Sequence, residues 1–88
     1  MLRLTVSSGG EEEIILRVDG WLTGDYVELL EREGTRHLEA GGSLVLDLTG
    51  LRFTDLSGVE QLLRWSRAGV VLRNASPFIQ CLLDDNEA

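Results

Sequence analysis

The sequence predicts an α/β fold, a mixed four-stranded sheet with helices packed against it in the order β-β-α-β-α-β-α. Three observations predict it. Two apolar strand-like runs, "LRLTV" (2–6) and "EIILRVDG" (13–20), are separated by a gap short enough for an antiparallel hairpin. Beyond them, amphipathic helical patterns alternate with short apolar strands, and strands separated by single helices pair in parallel through right-handed crossovers. Eighty-eight residues, 43% hydrophobic and 26% charged, suffice for one small core, so residues 1–88 are read as a single domain.

The first run alternates at period two, as a strand does. "SSGGEEE" (7–13) is a turn, in which Gly9 and Gly10 are expected to supply unusual backbone angles and the three glutamates to stay solvated. The second strand is expected to close at Gly20. In the first helix Asp25 is the predicted cap, with Glu28 completing a capping-box pattern. Val27, Leu30, Gly34 and Leu38 fall on one stripe, and Gly41 and Gly42 end the helix. "SLVLDL" (43–48) is apolar on both faces apart from Asp47, which suits a central strand. "TGLRFTD" is expected to carry the chain over that strand's end. A second helix starts at Ser57, with Val59, Leu62, Leu63 and Ser66 on one face, and "AGVVLR" (68–73) is the last strand. Ser76 caps a third helix with Pro77 in its first position and Phe78, Cys81 and Leu82 as its apolar face.

Charge narrows the function. Fifteen acidic residues oppose eight basic ones for a net charge of −7, which disfavours nucleic acid and anionic membrane surfaces as partners. All the basic residues are arginine. A phosphate-loop lysine, a Schiff-base lysine and the lysine of a phospho-aspartate receiver are therefore excluded together. Cys81 is the only cysteine, so there is no intrachain disulfide, and buried packing is expected for it. His37 has no second His or Cys nearby to share a zinc ion. No metal or cofactor is expected. "MLRLTVSSGGEEE" has no apolar signal core, and no run reaches the ~20 residues needed to span a bilayer. The expectation is a cytoplasmic protein with no direct membrane insertion.

The stretch that asks for an explanation is "LRFTDLSGVEQLL" (51–63), a polar turn expected at the carboxyl end of a buried strand, where ligands of open α/β sheets collect. The helix behind it offers unpaired N–H groups and a positive dipole end to a phosphate or a partner's carboxylate. "LVLDLTGLRFTDLSGVEQLL" resembles the signature of STAS domains, the sulfate-transporter and anti-sigma-factor-antagonist family: an apolar strand ending Asp-Leu, a turn, then Asp-Ser-Ser/Thr-Gly and a leucine-rich helix. "VVLRNASPFIQCLL" resembles the family's strand-then-Asn/Ser-Pro-helix ending, so the likeness covers nearly the whole chain. One departure is "RWSRAG", a shorter helix-to-strand passage than the family leads one to expect.

In phosphorylated members the resemblance implies a switch, in which a partner kinase modifies the first Ser of that motif. Position by position, Asp55 matches the Asp, Leu56 the phosphoacceptor, Ser57 the second Ser/Thr and Gly58 the Gly. Leu56 has no hydroxyl, so the usual switch cannot operate there. Leu56 either offers an apolar knob for docking or folds back onto Phe53 or the second helix. Ser57 fits S-x-x-E with Glu60, which reads as a helix cap, with a substitute phosphoacceptor as the alternative. Asp55 either braces the loop or touches a ligand. Trp21 and Trp65 are either exposed anchors or, as expected in so small a domain, partly buried in the core.

The resemblance implies a non-catalytic protein–protein interaction module of bacterial signal transduction and transcription regulation, like an anti-sigma-factor antagonist. It would bind a GHKL-type serine kinase that is also the anti-sigma factor, through Phe53, Asp55, Leu56, Ser57, Gly58 and Glu60. The alternative is an accessory STAS subunit of an ABC-type lipid transporter, binding its ATPase. A homodimer is compatible with either. Against an enzyme stand the missing lysine and the placing of Gly9-Gly10 in a hairpin and Gly41-Gly42 at a helix end, which leaves no phosphate loop.

Overall fold

The computed structural model of the chain describes residues 1–10 and 12–87. Its elements are β1 (Leu2–Ser8), β2 (Glu13–Leu22), α1 (Asp25–Glu39), β3 (Ser43–Thr54), α2 (Leu56–Arg67), β4 (Val71–Arg73) and α3 (Pro77–Asn86), in the predicted order. The strands lie side by side as β1-β2-β3-β4, with β1 antiparallel to β2 and the other two pairs parallel. Both crossovers step in the same direction across the sheet, so right-handedness puts α1 and α2 on the same face.

On that face Leu16 and Val18 of β2 and Leu44, Leu46 and Leu48 of β3 join Leu30 of α1, Leu62 of α2 and Ile79 of α3 in one apolar cluster. The opposite face carries Thr5, Arg17, Asp47 and Arg73 in one row across the four strands. The helix side of the sheet is thus apolar, while the open side sets this polar row beside an apolar one of Ile15, buried Val45 and exposed Val71. The α1 stripe buries Val27, Leu30 and Gly34 as the spacing predicts. Gly34 is there for contact. A Cβ on it would lie 2.7 Å from Trp65 Cζ2 and closer still to Cη2, so the missing side chain is the seat of the indole. Trp65 is only 6% exposed.

Several local expectations are corrected. The hairpin turn has its positive φ at Glu12 (60°), with none at Gly9 or Gly10, and the turn closes through Gly9 N–H donating to the Glu13 carbonyl. Glu12 is exposed and Glu13 half-buried, while the part of the turn reading that falls on Glu11 lies outside the described residues. β2 continues through Gly20 (φ 98°) to Leu22, because β3 also continues, past Leu48 to Thr54, and supplies hydrogen-bonding partners. "TGLRF" is therefore strand and not turn. The residue before α1 is Gly24, with no side-chain cap, and Asp25 is the first helical residue. β4 is only Val71–Arg73, since Gly69 (φ 100°) is still part of the turn after α2. In α2 Ser66 is exposed, and the buried face is Val59, Gln61, Leu62, Leu63 and Trp65.

Trp21 and α3 differ most. Trp21 is 54% exposed, because Leu22 takes the core-facing position at the end of β2. α3 is turned by one residue from the expected face. It buries Ile79 and Leu83, an i,i+4 pair, and leaves Phe78 and Cys81 exposed. Cys81 Sγ lies 3.8 Å from Asp85 Oδ2, on the solvent side of the helix.

Gly34→Ala is the direct test of the α1–α2 contact. Alanine gains up to about 1 kcal/mol of helix propensity, but its methyl must push the indole aside, so a net loss of about 1–3 kcal/mol is expected in urea denaturation. Unchanged stability and unchanged Trp fluorescence would show that the indole does not depend on the gap.

Candidate functional site

The carboxyl ends of β2 and β3 meet the N-termini of α1 and α2 at one corner, and Asp55 sits at its centre. It lies between β3 and α2 in extended backbone and is the cap of α2. Its Oδ1 accepts from Gly58 N–H at 2.9 Å and from Ser57 Oγ–H at 2.7 Å, while its Oδ2 accepts from Gly24 N–H at 3.0 Å. Its own N–H donates to the Leu22 carbonyl at 3.2 Å. One residue therefore joins the β2–α1 passage to the β3–α2 passage, 31 positions apart in the chain. The bond from Gly24, then those from Ser57 and Gly58, hold the carboxyl below the usual aspartate range against the opposing effect of partial burial.

Two glycines make the joint possible. Gly24 has φ 54° and ψ −127°, a conformation a side chain would strain. A Cβ on Gly58 would meet the Leu22 carbonyl oxygen at 2.8 Å and run into Thr54 Oγ1, so only glycine lets α2 begin this close to the strand ends. The cap reading of Ser57 is thereby corrected. Ser57 is the second residue of α2 and donates to Asp55, and Glu60 is an exposed residue one turn on. The positive end of α2, expected to await an external anion, is already met by the Asp55 carboxylate.

Leu56 opens α2 and is 60% exposed, so it does not fold back into the structure. It lines a shallow hollow of about 290 Å³ with Glu60, Leu63, Arg64, Arg67 and Asn86. Phe53 is 40% exposed and occupies the middle of a row of rings. Its centroid is 5.8 Å from that of Trp21, its ladder partner, at a tilted 57°, and 6.4 Å from that of Phe78 at a stacked 20°. Both distances are those of favourable aromatic pairs. The structure thus brings Phe53, Asp55, Leu56, Ser57, Gly58 and Glu60 to one corner. Trp21 and Phe78 join Phe53 there; the sequence ranks an exposed Trp21 second to partial burial and puts Phe78 on the buried face. Their signals were the parity of Trp21 beside Leu22 and the better i,i+4 spacing of Ile79 and Leu83.

Among the described residues no three His, Cys, Asp or Glu side chains converge as metal ligands. No helix of the described residues is long and apolar enough to cross a membrane.

The family model described as "Mlab, STAS domain" matches residues 6–84, and the chain belongs to the STAS family. The fold is similar to that of the anti-sigma factor antagonist SpoIIAA in its unphosphorylated form, with a TM-score of 0.73 at 22% identity, over 93% of this chain and 82% of that one. It is equally similar to the Bacillus cell fate determinant SpoIIAA in the phosphorylated form, with a TM-score of 0.72 at 20% identity, over 97% and 84%. No functionally curated protein matches the sequence.

Removing the Asp55 carboxylate deprives three donors at once. Asp55→Ala should cost about 1–3 kcal/mol in urea denaturation, whereas Ser57→Ala, which leaves the cap in place, should stay within about 0.5 kcal/mol. Equal losses would show that Ser57 and not Asp55 holds the helix start. The pH dependence follows from the same bonds. A carboxyl with a depressed folded-state pKa is protonated more readily in the unfolded chain, so its stabilisation is complete above about pH 4 and is lost as pH falls through the folded value. Asp55→Asn should flatten the acid limb of the stability curve below about pH 4, and an unaltered limb would remove Asp55 from it.

Proposed function

We propose that this protein is a non-catalytic protein–protein interaction module that works through the corner at Phe53–Glu60. Its partner on this reading is a regulatory protein of the serine-kinase/anti-sigma type, bound in the manner of an anti-sigma-factor antagonist. The observation that carries the reading is an exposed Leu56 on a helix start made rigid by Asp55, beside the ring row of Trp21, Phe53 and Phe78. Large aromatic side chains on a fixed backbone are what interface hot spots are made of, since their burial is gained at little entropic cost.

Leu56 stands where the family's phosphoacceptor hydroxyl would be, so this corner has shape without the charge switch. A phosphate there would bring about −1.5 to −2 charges next to Asp55 and repel an apolar or acidic partner. Leucine keeps the docking state permanently. The hydroxyl-free position also supports a second reading, an accessory subunit of an ABC-type lipid transporter that binds the ATPase constitutively and needs no kinase. A cytoplasmic setting fits both.

Affinity capture with the full chain, followed by mass spectrometry, separates the readings: a GHKL-type serine kinase supports the first and an ABC ATPase the second. Completing the burial of a half-exposed leucine is worth about 1–2 kcal/mol, so Leu56→Gln should weaken the captured partner about tenfold. Undiminished binding by that variant would make the corner scaffolding. Incubation with the kinase and ATP should add no phosphate to the corner, and phosphorylation of Ser57 would overturn the permanent-docking account.

A further inference from the structure

The open face of the sheet holds a feature that the corner reading leaves unused. At its carboxyl end a hollow of about 560 Å³ is lined by Arg3, Arg17, Arg52, Asp19, Thr49 and Gly50. Three guanidinium groups meet one carboxylate there, in a chain whose net charge is −7. Seven acidic residues lie elsewhere, on α1 (Asp25, Glu28, Glu31, Glu33, Glu39) and toward the end of α3 (Asp84, Asp85), while Asp47, the ladder partner of Arg17, lies on the same face beside the hollow.

The one carboxylate is already engaged. Asp19 takes Arg17 Nε on both oxygens, at 3.0 and 3.2 Å, although its direct ladder partner on β1 is Arg3. Among the described residues neither Arg3 nor Arg52 has an ion-pair partner. With Asp19 and Asp47 both beside Arg17, the guanidinium groups of Arg3 and Arg52 carry the excess positive charge, and an arriving anion relieves it.

The backbone is also shaped for the hollow. Between Arg17↔Asp47 and Asp19↔Gly50 the ladder has one residue on β2 and two on β3; between Gly20↔Leu51 and Trp21↔Phe53 it again has one extra residue on β3. These are two bulges in a parallel pair, where bulges are rare and serve to re-aim side chains. The residues they turn toward the hollow are Thr49 and Arg52. The first bulge is fixed by Asp47, whose Oδ1 accepts from both the backbone N–H and the hydroxyl of Thr49. The floor is Gly50, where a Cβ would lie 2.6 Å from Asp19 Cγ and collide with its Oδ1. A side chain there would fill the hollow or break the Arg17–Asp19 pair.

We propose that this hollow is a binding site for a small oxyanion carrying two or more charges, of the pyrophosphate or polycarboxylate class, held by Arg3 and Arg52 with Arg17 oriented by Asp19. Guanidinium forks match such oxygen arrays in charge and geometry, and the volume is that of a small-ligand site. The site lies on the sheet's open face, and Trp21 of the ring row stands at its edge beside Arg3 and Arg52.

The test is an NMR titration of the full chain with sodium pyrophosphate and, separately, sodium citrate, each at constant ionic strength against chloride. Saturable shifts at the Thr49 and Gly50 amides and the Arg3, Arg17 and Arg52 Nε signals are expected from at least one of the two, which also identifies the class. The double variant Arg3→Gln/Arg52→Gln should weaken that binding about tenfold or more, while Arg32→Gln/Arg36→Gln on α1 should leave it unchanged. Both variants alter exposed side chains, and their amide spectra report that they fold. Non-saturating shifts from both anions, shifts spread equally over the α1 arginines, or undiminished binding by the first variant would each overturn the proposal.

Discussion

The corner of this molecule depends on one carboxylate. Asp55 accepts from the start of α2 on one oxygen and from the residue before α1 on the other, while its backbone N–H holds the end of β2. Hydrogen bonds to an ionised acceptor are about twice as strong as neutral ones, and three converge here without a cation to share them. Everything exposed at the corner takes its position from that joint. Leu56 and Ser57 follow it directly, and Trp21 and Phe53 precede its two strand attachments. A small domain has little core with which to fix its surface, so a local polar knot does that work.

Much of this was legible in the letters. The alternation of β1, the apolar run of β3 and the α1 stripe are periodic signals, and periodicity survives folding because it is what burial selects. Gly34 on the stripe was visible as a small residue on a buried face, though its reason, the Trp65 ring, lies 31 positions on. The boundaries were less legible. "TGLRF" has the composition of a turn, yet it is strand because β2 runs beside it, a fact about a partner and not about the segment. Gly20 was read as an end for the same reason; its positive φ belongs to an irregular strand that goes on to Leu22.

At the corner the S-x-x-E pattern put the cap of α2 at Ser57 and left Asp55 to brace the loop or touch a ligand, whereas Asp55 is the cap. What decides between them is Gly24, whose N–H fixes the second oxygen of Asp55 and which no local pattern connects to it. The ring row was hidden in a similar way. Phe78 and Ile79 are neighbours with equal claim to the core, and the choice rests on which of them aligns with Leu83. Asp47 was visible as the one polar residue of a buried strand, but its purpose, to hold Thr49 out of register, requires the ladder.

The unequal lengths of the two central strands have a consequence for how this chain can vary. Ten residues of β2 run beside twelve of β3 from Glu13↔Ser43 to Leu22↔Thr54, the difference being the two bulges. Losing one residue between Leu48 and Phe53 would not shorten a loop. It would remove a bulge: without Thr49 or Arg52 the ladder runs on in even register, with the leucines still facing inward and the hollow lacking the side chain that the bulge turns toward it. A change in the number of letters is thus taken up at the two bulges, and this stretch of the strand can lengthen or shorten without turning its faces over.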